Sequence, residues 1–455
     1  MAIMKNSSEF DAALHALAEW AADCGLAGIP ESARRRTVLV LADDLAAMAA
    51  GACEPELAAY RQRVLSRPHI EESTLFAAGL PRVDRLQAAS VNAVAGTWCE
   101  LDEGFRRTIC HAGIYVLPAL LAEAEATGAS YGELVRALAL AYECVTRVAL
   151  AFRFARPTVH AHACWSAIGA AAGVALLRRE HADVLAGAMA AAATTASLGP
   201  RPHLVQGVLV RNGWAAAGAV NGMQCADWSA CGIRGVGGSL PAVYRDILGG
   251  QADSSALTAA LGEVWSVESG YQKLYACCQH GHAAVEAVLE LLAGGGLDAQ
   301  AVLAIDVYTH PLALTLDNAD PLTTLGARFS MPHMVAGPLV YGTGGMAAFS
   351  SAALTDPRVQ RLRRVVRLHP WQGPLEPPFD RPARVVVHTP AGRLQAECLS
   401  AIGSPDRPLD LSTLAAKIGE LAGGLLPGLA SLIDAGDPAG DAARPWPDML
   451  ASLRT

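Results

Sequence analysis

The strongest constraint on the fold is a succession of Ala- and Leu-rich segments that runs from Phe10 to about Gly262. In these segments apolar residues recur every three or four positions, which is the spacing of helices that bury one face. Short breaks of Gly, Pro or Asp separate the segments, as expected at helix ends. The pattern predicts helices over residues 10–24, 30–50, 55–66, 72–78, 82–98, 116–126, 131–152, 166–179 and 182–198.

The pattern changes near Gly270. Alternating β-branched residues predict strands over 302–309, 364–368, 384–387 and 393–399, and a Thr-Pro-Ala-Gly turn joins the last two as a hairpin. Residues 411–435 return to a helical pattern. We therefore predict a mainly α protein with a large all-α helical domain over 1–269, completed by 406–455, and a smaller α+β domain over 270–405. A site is expected in the cleft between the two domains.

Composition narrows the class of protein. Hydrophobic residues make up 52% of the chain and charged residues 17%, which predicts extensive buried helix surface and is compatible with a subunit interface. No uninterrupted apolar run of about 20 residues is present, so no membrane span is predicted. The net charge of −8, without a basic run, argues against nucleic acid as a partner. Eleven scattered cysteines without an export signal predict a reduced, cytoplasmic protein.

Chemistry-bearing residues are concentrated just before the predicted helix at 116–126. Three carboxylates (Glu100, Asp102 and Glu103) are followed by two arginines and then by His111. Acid, base and imidazole at the start of a buried helix are what proton transfer requires. A solvated loop in front of a core helix is the alternative explanation.

Three further stretches contain candidate site residues. His160 and His162 precede a small-residue helix, where a histidine could also serve as a helix cap. Arg211 stands at a helix start, where a guanidinium suits bidentate capture of a carboxylate, or alternatively a surface ion pair. The stretch YQKLYACCQHGHAAVEA at 271–287 contains Lys273.

The cysteines and histidines of that stretch do not predict a metal site. Adjacent cysteines such as Cys277 and Cys278 rarely both bind one tetrahedral ion, and no second ligand pair lies at a suitable spacing from His280 and His282. Nucleotide-binding and serine-hydrolase motifs are also missing from the sequence. We therefore predict neither a metal nor an organic cofactor.

Five stretches together resemble the MmgE/PrpD family, from about residue 10 to residue 432. Besides 271–287, they are ELDEGFRRTICHAGIYVLPALLAEAEATGA at 100–129, TVHAHACWSAIGAAAG at 158–173, GVLVRNGWAAAGAVNGMQC at 207–225 and PLTTLGARFSMPHMVAGPLVYG at 321–342. The family includes 2-methylcitrate dehydratase, cis-aconitate decarboxylase and iminodisuccinate epimerase. The resemblance implies a helical domain with a lid-like second domain, and a homodimer formed through the helical domain.

The resemblance also implies roles for individual residues. The implied catalytic residues are His111, His160, Lys273 and Asp102. The implied substrate-binding residues are Arg211, Glu103, His162, Cys278, Arg328, Ser330 and His333. The chain departs from the family pattern at Phe105, Ala112, Val208 and Cys278. Val208 stands where the dehydratase and decarboxylase branch has a lysine, whereas Arg211-Asn212 looks more like the epimerase branch.

The implied function is a cofactor-independent lyase or isomerase that removes a proton next to a carboxylate of a small di- or tricarboxylic acid. Loss of β-hydroxide from the resulting carbanion makes a dehydratase, and reprotonation on the other face makes an epimerase. A decarboxylase reaches a similar carbanion by losing CO₂. The alternative is a catalytically silent family member that binds a carboxylate metabolite or a protein partner.

Overall fold

The computed structural model describes residues 2–155 and 158–455, with side chains described from Ser8 onward. The fold is mainly α. The first half of the chain contains helices α1 (Ala2–Asp23), α2 (Glu31–Gly51), α3 (Pro55–Leu65), α4 (Arg85–Trp98), α5 (Ala112–Thr127), α6 (Tyr131–Leu150), α7 (Ala161–Leu177), α8 (Ala182–Thr194), α9 (Pro202–Gln206), α10 (Val210–Ala230) and the single turn α11 (Ser239–Pro241). The second half contains helices α12 (His282–Ala293), α13 (Pro311–Leu314), α14 (Thr324–Arg328), α15 (Met331–Tyr341), α16 (Ser351–Thr355), α17 (Pro357–Arg363), α18 (Leu411–Ala422), α19 (Ser431–Ala435) and α20 (Trp446–Ser452).

Four strands form one sheet: β7 (Ala304–Thr309), β8 (Val366–Pro370), β9 (Ala383–Thr389) and β10 (Gly392–Cys398). Their order in the sheet is β10-β9-β7-β8. β7 pairs with β8 in parallel, and the other pairs are antiparallel. Short two-stranded ladders join β1 (Ser73–Thr74) to β2 (Arg82–Val83), β3 (Gly104–Phe105) to β6 (Gly270–Tyr271), and β4 (Phe152–Arg153) to β5 (Gln251–Ala252).

The helical core is built around α7, whose residues are all buried. Small residues let neighbouring helices approach it closely. A Cβ atom on Gly222 of α10 would lie 2.4 Å from the Cβ of Ala170, and one on Gly169 would lie 3.0 Å from Tyr115 of α5. Because α10 and α5 press against α7 in this way, the N-terminal turn of α7 is fixed deep in the protein.

The predicted strands are confirmed, including the hairpin, in which Leu394 pairs with Val387. The helix predicted over 72–78 is wrong. The hydroxyl of Ser73 donates to the carbonyl of Ala122 at 2.6 Å, and the backbone N–H of Thr74 donates to the buried Glu125 carboxylate at 2.7 Å. These tertiary hydrogen bonds satisfy an extended backbone, so the segment forms a short strand instead.

The helix predicted over 411–435 divides into α18 and α19, because Gly423, Gly424 and Pro427 interrupt it. α18 packs on α2, and the ammonium of Lys417 donates to Asp43 at 2.6 Å and to the carbonyl of Leu101 at 2.9 Å. The end of the chain thereby supports the loop that precedes α5. The division into domains at 269/270 and 405/406 stays a prediction. In the described part of the chain, no helix combines the length and apolar character needed to cross a bilayer.

Candidate active site

A buried cluster of two carboxylates and two cations forms where the loop between α4 and α5 meets Lys273. The ammonium of Lys273 donates to Glu100 and to Asp102, each at 3.0 Å, and the guanidinium of Arg211 pairs with Glu100. All four side chains are at most 2% exposed. Glu100 has a φ of 53°, in the left-handed region that side chains with a Cβ rarely adopt. The two ion pairs hold this residue in place.

His111 stands at the end of this loop, directly before α5. Its Nδ1 lies 2.8 Å from a carboxylate oxygen of Asp102 and 3.0 Å from the carbonyl of Glu103, which accepts the N–H. Burial raises the pKa of Asp102, but the positive charges of Lys273 and Arg211 help to outweigh burial and hold that pKa below its ordinary value. Asp102 is therefore ionised at neutral pH, and the Nε2 of His111 is left available as a base.

Glu103 fixes the loop by hydrogen bonds to three helices, α2, α5 and α6. Its carboxylate accepts the backbone N–H of Gly113 at 2.6 Å and the hydroxyl of Tyr142 at 3.0 Å, and its own N–H donates to Asp44 at 2.9 Å. Burial raises the pKa of Glu103 to about 8 and raises the pKa of Asp44 well above its ordinary value. A Cβ on Gly113 would lie 2.3 Å from the Asp44 carboxylate, so only glycine fits this helix start.

His160 caps α7 and points into the same region. Its Nδ1 accepts the backbone N–H of His162 at 3.1 Å. Burial lowers the pKa of both histidines well below the ordinary value, so both rings are neutral at pH 7. The hydrogen of the neutral His160 ring is then on Nε2, where it can be donated. His162 lies deeper, with Nδ1 2.9 Å from the hydroxyl of Tyr115 and with no partner for Nε2 among the described residues.

These residues adjoin a cavity of about 560 Å³. Its polar wall consists of charged, imidazole, amide, phenol, hydroxyl and thiol groups from many parts of the chain: Glu100, Arg107, Thr108, His111, Arg153, His160, Arg201, Arg211, Tyr271, Cys278, Gln279, His280 and Arg381. Its remaining wall is apolar. Asp102 and Lys273 lie directly behind the polar wall, in contact with His111 and Glu100.

Arg201 and Arg381 are among the arginines of this wall that the sequence did not predict as site residues. Arg381 contacts the amide oxygen of Gln279 and donates to the carbonyl of Arg106 at 3.4 Å. Burial lowers its pKa to about 10, so it stays positively charged at neutral pH. Arg201 lies at the start of α9. Neither arginine belongs to a recognisable motif, so the sequence offered no signal for them.

His280 also lines the cavity, although it was not among the predicted site residues. The residue is half-buried, and its buried Nδ1 has no hydrogen-bond partner among the described residues. His282, two residues further on, contacts the carbonyl of Cys277 at 3.1 Å. Within residues 2–155 and 158–455, no group of three or more His, Cys, Asp or Glu side chains is placed to hold a metal ion.

Several predicted substrate-binding residues lie off the cavity lining. Arg328 pairs with Glu54 at 3.4 Å, and Ser330 caps α15 by accepting the backbone N–H of His333 at 3.1 Å. The ring of His333 contacts the carbonyl of Ala348 at 2.9 Å. Glu103 and His162 are likewise buried outside the lining, and Val208 is 36% exposed away from it. The structure therefore brings His111, His160, Arg211 and Cys278 to the cavity.

Comparison with known families agrees with the resemblance seen in the sequence. The MmgE/PrpD N-terminal domain matches residues 15–242, and the MmgE/PrpD C-terminal domain matches residues 275–432. These matches span most of the chain, and the protein belongs to the MmgE/PrpD family. Membership supports a dehydratase, another lyase or a related activity. No curated protein shows a significant match to the chain.

Proposed function

We propose that the protein is a cofactor-independent lyase or isomerase that removes a proton next to a carboxylate of a small di- or tricarboxylic acid. The observation that supports this most directly is the contact between His111 and Asp102 at 2.8 Å, beside a cavity whose wall includes Arg201, Arg211 and Arg381. A base and several cations thus face one enclosed space. Proton removal from a carbon next to a carboxylate requires both.

His111 is the proposed base. The Glu103 carbonyl accepts from its Nδ1, so Nε2 has the lone pair that faces the substrate. When Nε2 takes up a proton, the ring becomes cationic, and the ionised Asp102 carboxylate stabilises it. In other histidine–aspartate pairs the carboxylate likewise stabilises the cationic ring and remains ionised.

Lys273 acts in this proposal as a fixed positive charge. Burial lowers the pKa of its ammonium, but Asp102 and Glu100 outweigh burial and raise that pKa above its ordinary value. A lysine neutralised by burial is therefore not the base. Together with Arg211, Lys273 balances the two buried carboxylates and keeps Asp102 ionised beside His111.

Arg201 and Arg381 are proposed to bind the substrate carboxylates. The N-terminus of α7 lies at the same wall, and its partial positive charge also favours an anion. As negative charge grows on the substrate during proton removal, these groups and the Nε2–H of His160 stabilise it. In this proposal His160 also protonates a departing hydroxyl, which gives the dehydratase outcome. Return of a proton to the other face of the same carbanion gives the epimerase outcome.

The test is hydrogen exchange. The protein is incubated in D₂O with citrate-, malate- and aspartate-like acids, and loss of the C–H signal is followed by NMR. We expect exchange with at least one acid, abolished in His111→Gln and retained in the control His369→Gln. The product in the same tube distinguishes loss of water from inversion. Exchange that is unaffected in His111→Gln would overturn the assignment of the base.

A second candidate function is binding of a carboxylate metabolite without catalysis. It is favoured by Cys278, which stands where the decarboxylase branch has a second imidazole, and by the pairing of Arg211 and Lys273 with carboxylates of the protein itself. In that case calorimetry would detect binding of an acid, and no acid would exchange its C–H. Substitution of His160 would then alter affinity only.

A further inference from the structure

The cavity has a second wall whose chemistry the proposed reaction does not explain. In contrast to the arginines and histidines, it consists of large apolar side chains, among them Phe152, Phe154, Trp165 and Leu312. A small polycarboxylate has little apolar surface to place against such a wall. Filling this part of the cavity with water would leave aromatic surface hydrated inside the protein, which is unfavourable.

The apolar wall is a rigid feature. Phe154 packs on Trp165 with ring centroids 6.4 Å apart, and Trp165 in turn packs on Tyr244 at 4.7 Å. Tyr244 also contacts Phe152 at 5.1 Å, and its hydroxyl donates to the carbonyl of Cys164 at 2.7 Å. These contacts fix the orientation of the aromatic rings, so the wall offers a preformed surface.

The helix α7 joins the apolar wall to the polar wall. His160 caps this helix, and the next residue, Ala161, lies on the same helical face as Trp165, four residues later. Both lie against the cavity, and Trp165 follows His160 by five residues, so aromatic surface begins about 7.5 Å along the helix axis from the histidine. One molecule can therefore reach both walls at once.

From this juxtaposition we infer that the substrate is a small polycarboxylic acid that bears a hydrocarbon substituent, alkyl or aryl, which lies against Phe154 and Trp165. The inference rests on the proposed function, because it takes the carboxylates to be held at the polar wall. It adds a specificity surface: the arginines select the carboxylates, and the aromatic wall selects the substituent. The cavity volume of about 560 Å³ lies within the range of sites for ligands larger than a simple dicarboxylate.

The experiment uses the full chain and a homologous series of acids. Malic acids bearing hydrogen, methyl, propyl, pentyl or benzyl at carbon 3 are compared by C–H exchange in D₂O and by kcat/KM. Each added CH₂ that is buried against the wall is expected to raise kcat/KM by up to about fourfold. The increase should continue from methyl to propyl or beyond.

A variant identifies the wall as the cause of the preference. Phe154→Ala is expected to reduce the ratio of kcat/KM for the propyl acid to that for the unsubstituted acid by about tenfold or more. Leu312→Ala should lower the same ratio less. The matched control is Phe379→Ala, which removes a phenylalanine that is 49% exposed and outside the cavity lining and should leave the ratio unchanged.

The outcomes separate this inference from the proposed function. Exchange that is fastest with the unsubstituted acid and falls with each added carbon would overturn the inference while supporting the proposed function. A preference for long substituents that persists in Phe154→Ala and Leu312→Ala would overturn the assignment of the wall. Exchange with none of the acids would overturn both.

Discussion

Two histidine–aspartate groups in this protein make the same kind of contact in different surroundings. In the candidate site, His111 lies 2.8 Å from Asp102, whose side chain is fully buried and also contacts Lys273. On the sheet, the carboxylate of Asp306 lies 2.8 Å from His369 and 2.7 Å from His388, and these side chains are 16%, 36% and 30% exposed. Distance alone does not distinguish the two groups.

Burial and neighbouring charge make the difference. Around Asp102, burial would favour protonation, and only the nearby cations keep the carboxylate ionised. Around Asp306, burial raises the pKa but the hydrogen bonds from His369 and His388 outweigh it, so the pKa is lowered, while water screens the charges. The first group borders a cavity and the second lies on the sheet outside the cavity lining. We therefore expect catalytic effects from one group and minor stability effects from the other.

The largest effect is expected from Asp102→Asn. The amide cannot stabilise a cationic His111 ring, so the exchange rate should fall by about 10³- to 10⁴-fold, as in other histidine–aspartate pairs. Asp306→Asn is the matched control, with unchanged exchange and a change in stability of about 1 kcal/mol or less. Both rates are measured by NMR with the same acid. Equal losses in the two variants would contradict the distinction between the groups.

Lys273→Met tests the buried charges themselves. Two carboxylates would be left without their shared cation, so the free energy of unfolding should fall by about 3–5 kcal/mol. The control is Arg358→Met, which breaks an ion pair with Asp356 in which the arginine is 61% exposed and should lower the free energy of unfolding much less. Chemical denaturation measures both. A loss from Lys273→Met no larger than the loss from Arg358→Met would mean that Glu100 and Asp102 find other partners.

His160→Ala compares the catalytic effect of a histidine at the cavity with that of a histidine on the sheet. Removing a donor that faces the cavity should reduce exchange by about 10²-fold, whereas His369→Ala, on the sheet, should leave the rate unchanged. A circular dichroism melt of each variant accompanies the rate measurement, because His160 also caps α7. Loss of thermal stability without loss of rate would assign His160 a purely structural role.

The smallest effect for each unit of pH change is a pH dependence of stability, with opposite signs in the two regions. The pKa of Glu103 is raised from 4.5 to about 8, so its contribution is fully present below pH 4.5 and is lost as the pH rises through 8. The slope is at most about 1.4 kcal/mol per pH unit. The pKa of Asp306 is lowered, so its contribution to stability is present when the pH is above the ordinary pKa of the carboxyl group and is lost as the pH falls.

Glu103→Gln should flatten the loss of stability as the pH rises towards 8. Asp306→Asn should flatten the loss of stability as the pH falls. Denaturation curves recorded from pH 3 to 9 would measure both. If Glu103→Gln leaves the slope between pH 4.5 and 8 unchanged, its carboxyl group is not the protonated one, and Asp44 becomes the candidate.

The sequence predicted those parts of the site that are close together in the chain. Asp102 and His111 are nine positions apart and flank a short loop, so their meeting at the start of α5 follows from local structure. Arg328 and Ser330 also belonged to a motif, yet the side chain between them, Phe329, is the one that reaches the cavity. A one-residue change of direction at the end of a short helix is not encoded in a motif.

The sequence by itself determined the mainly α fold, the strands of the sheet, the membership of the MmgE/PrpD family and the candidate residues before α5 and α7. Periodicity and local motifs are sufficient for these features, because they depend on neighbours along the chain. Only the tertiary structure decided that Arg201 and Arg381 join His111, that Lys273 is a paired cation, and that aromatic side chains line the same cavity as the arginines. These features depend on burial and on contacts between distant segments, and both arise only when the helices pack.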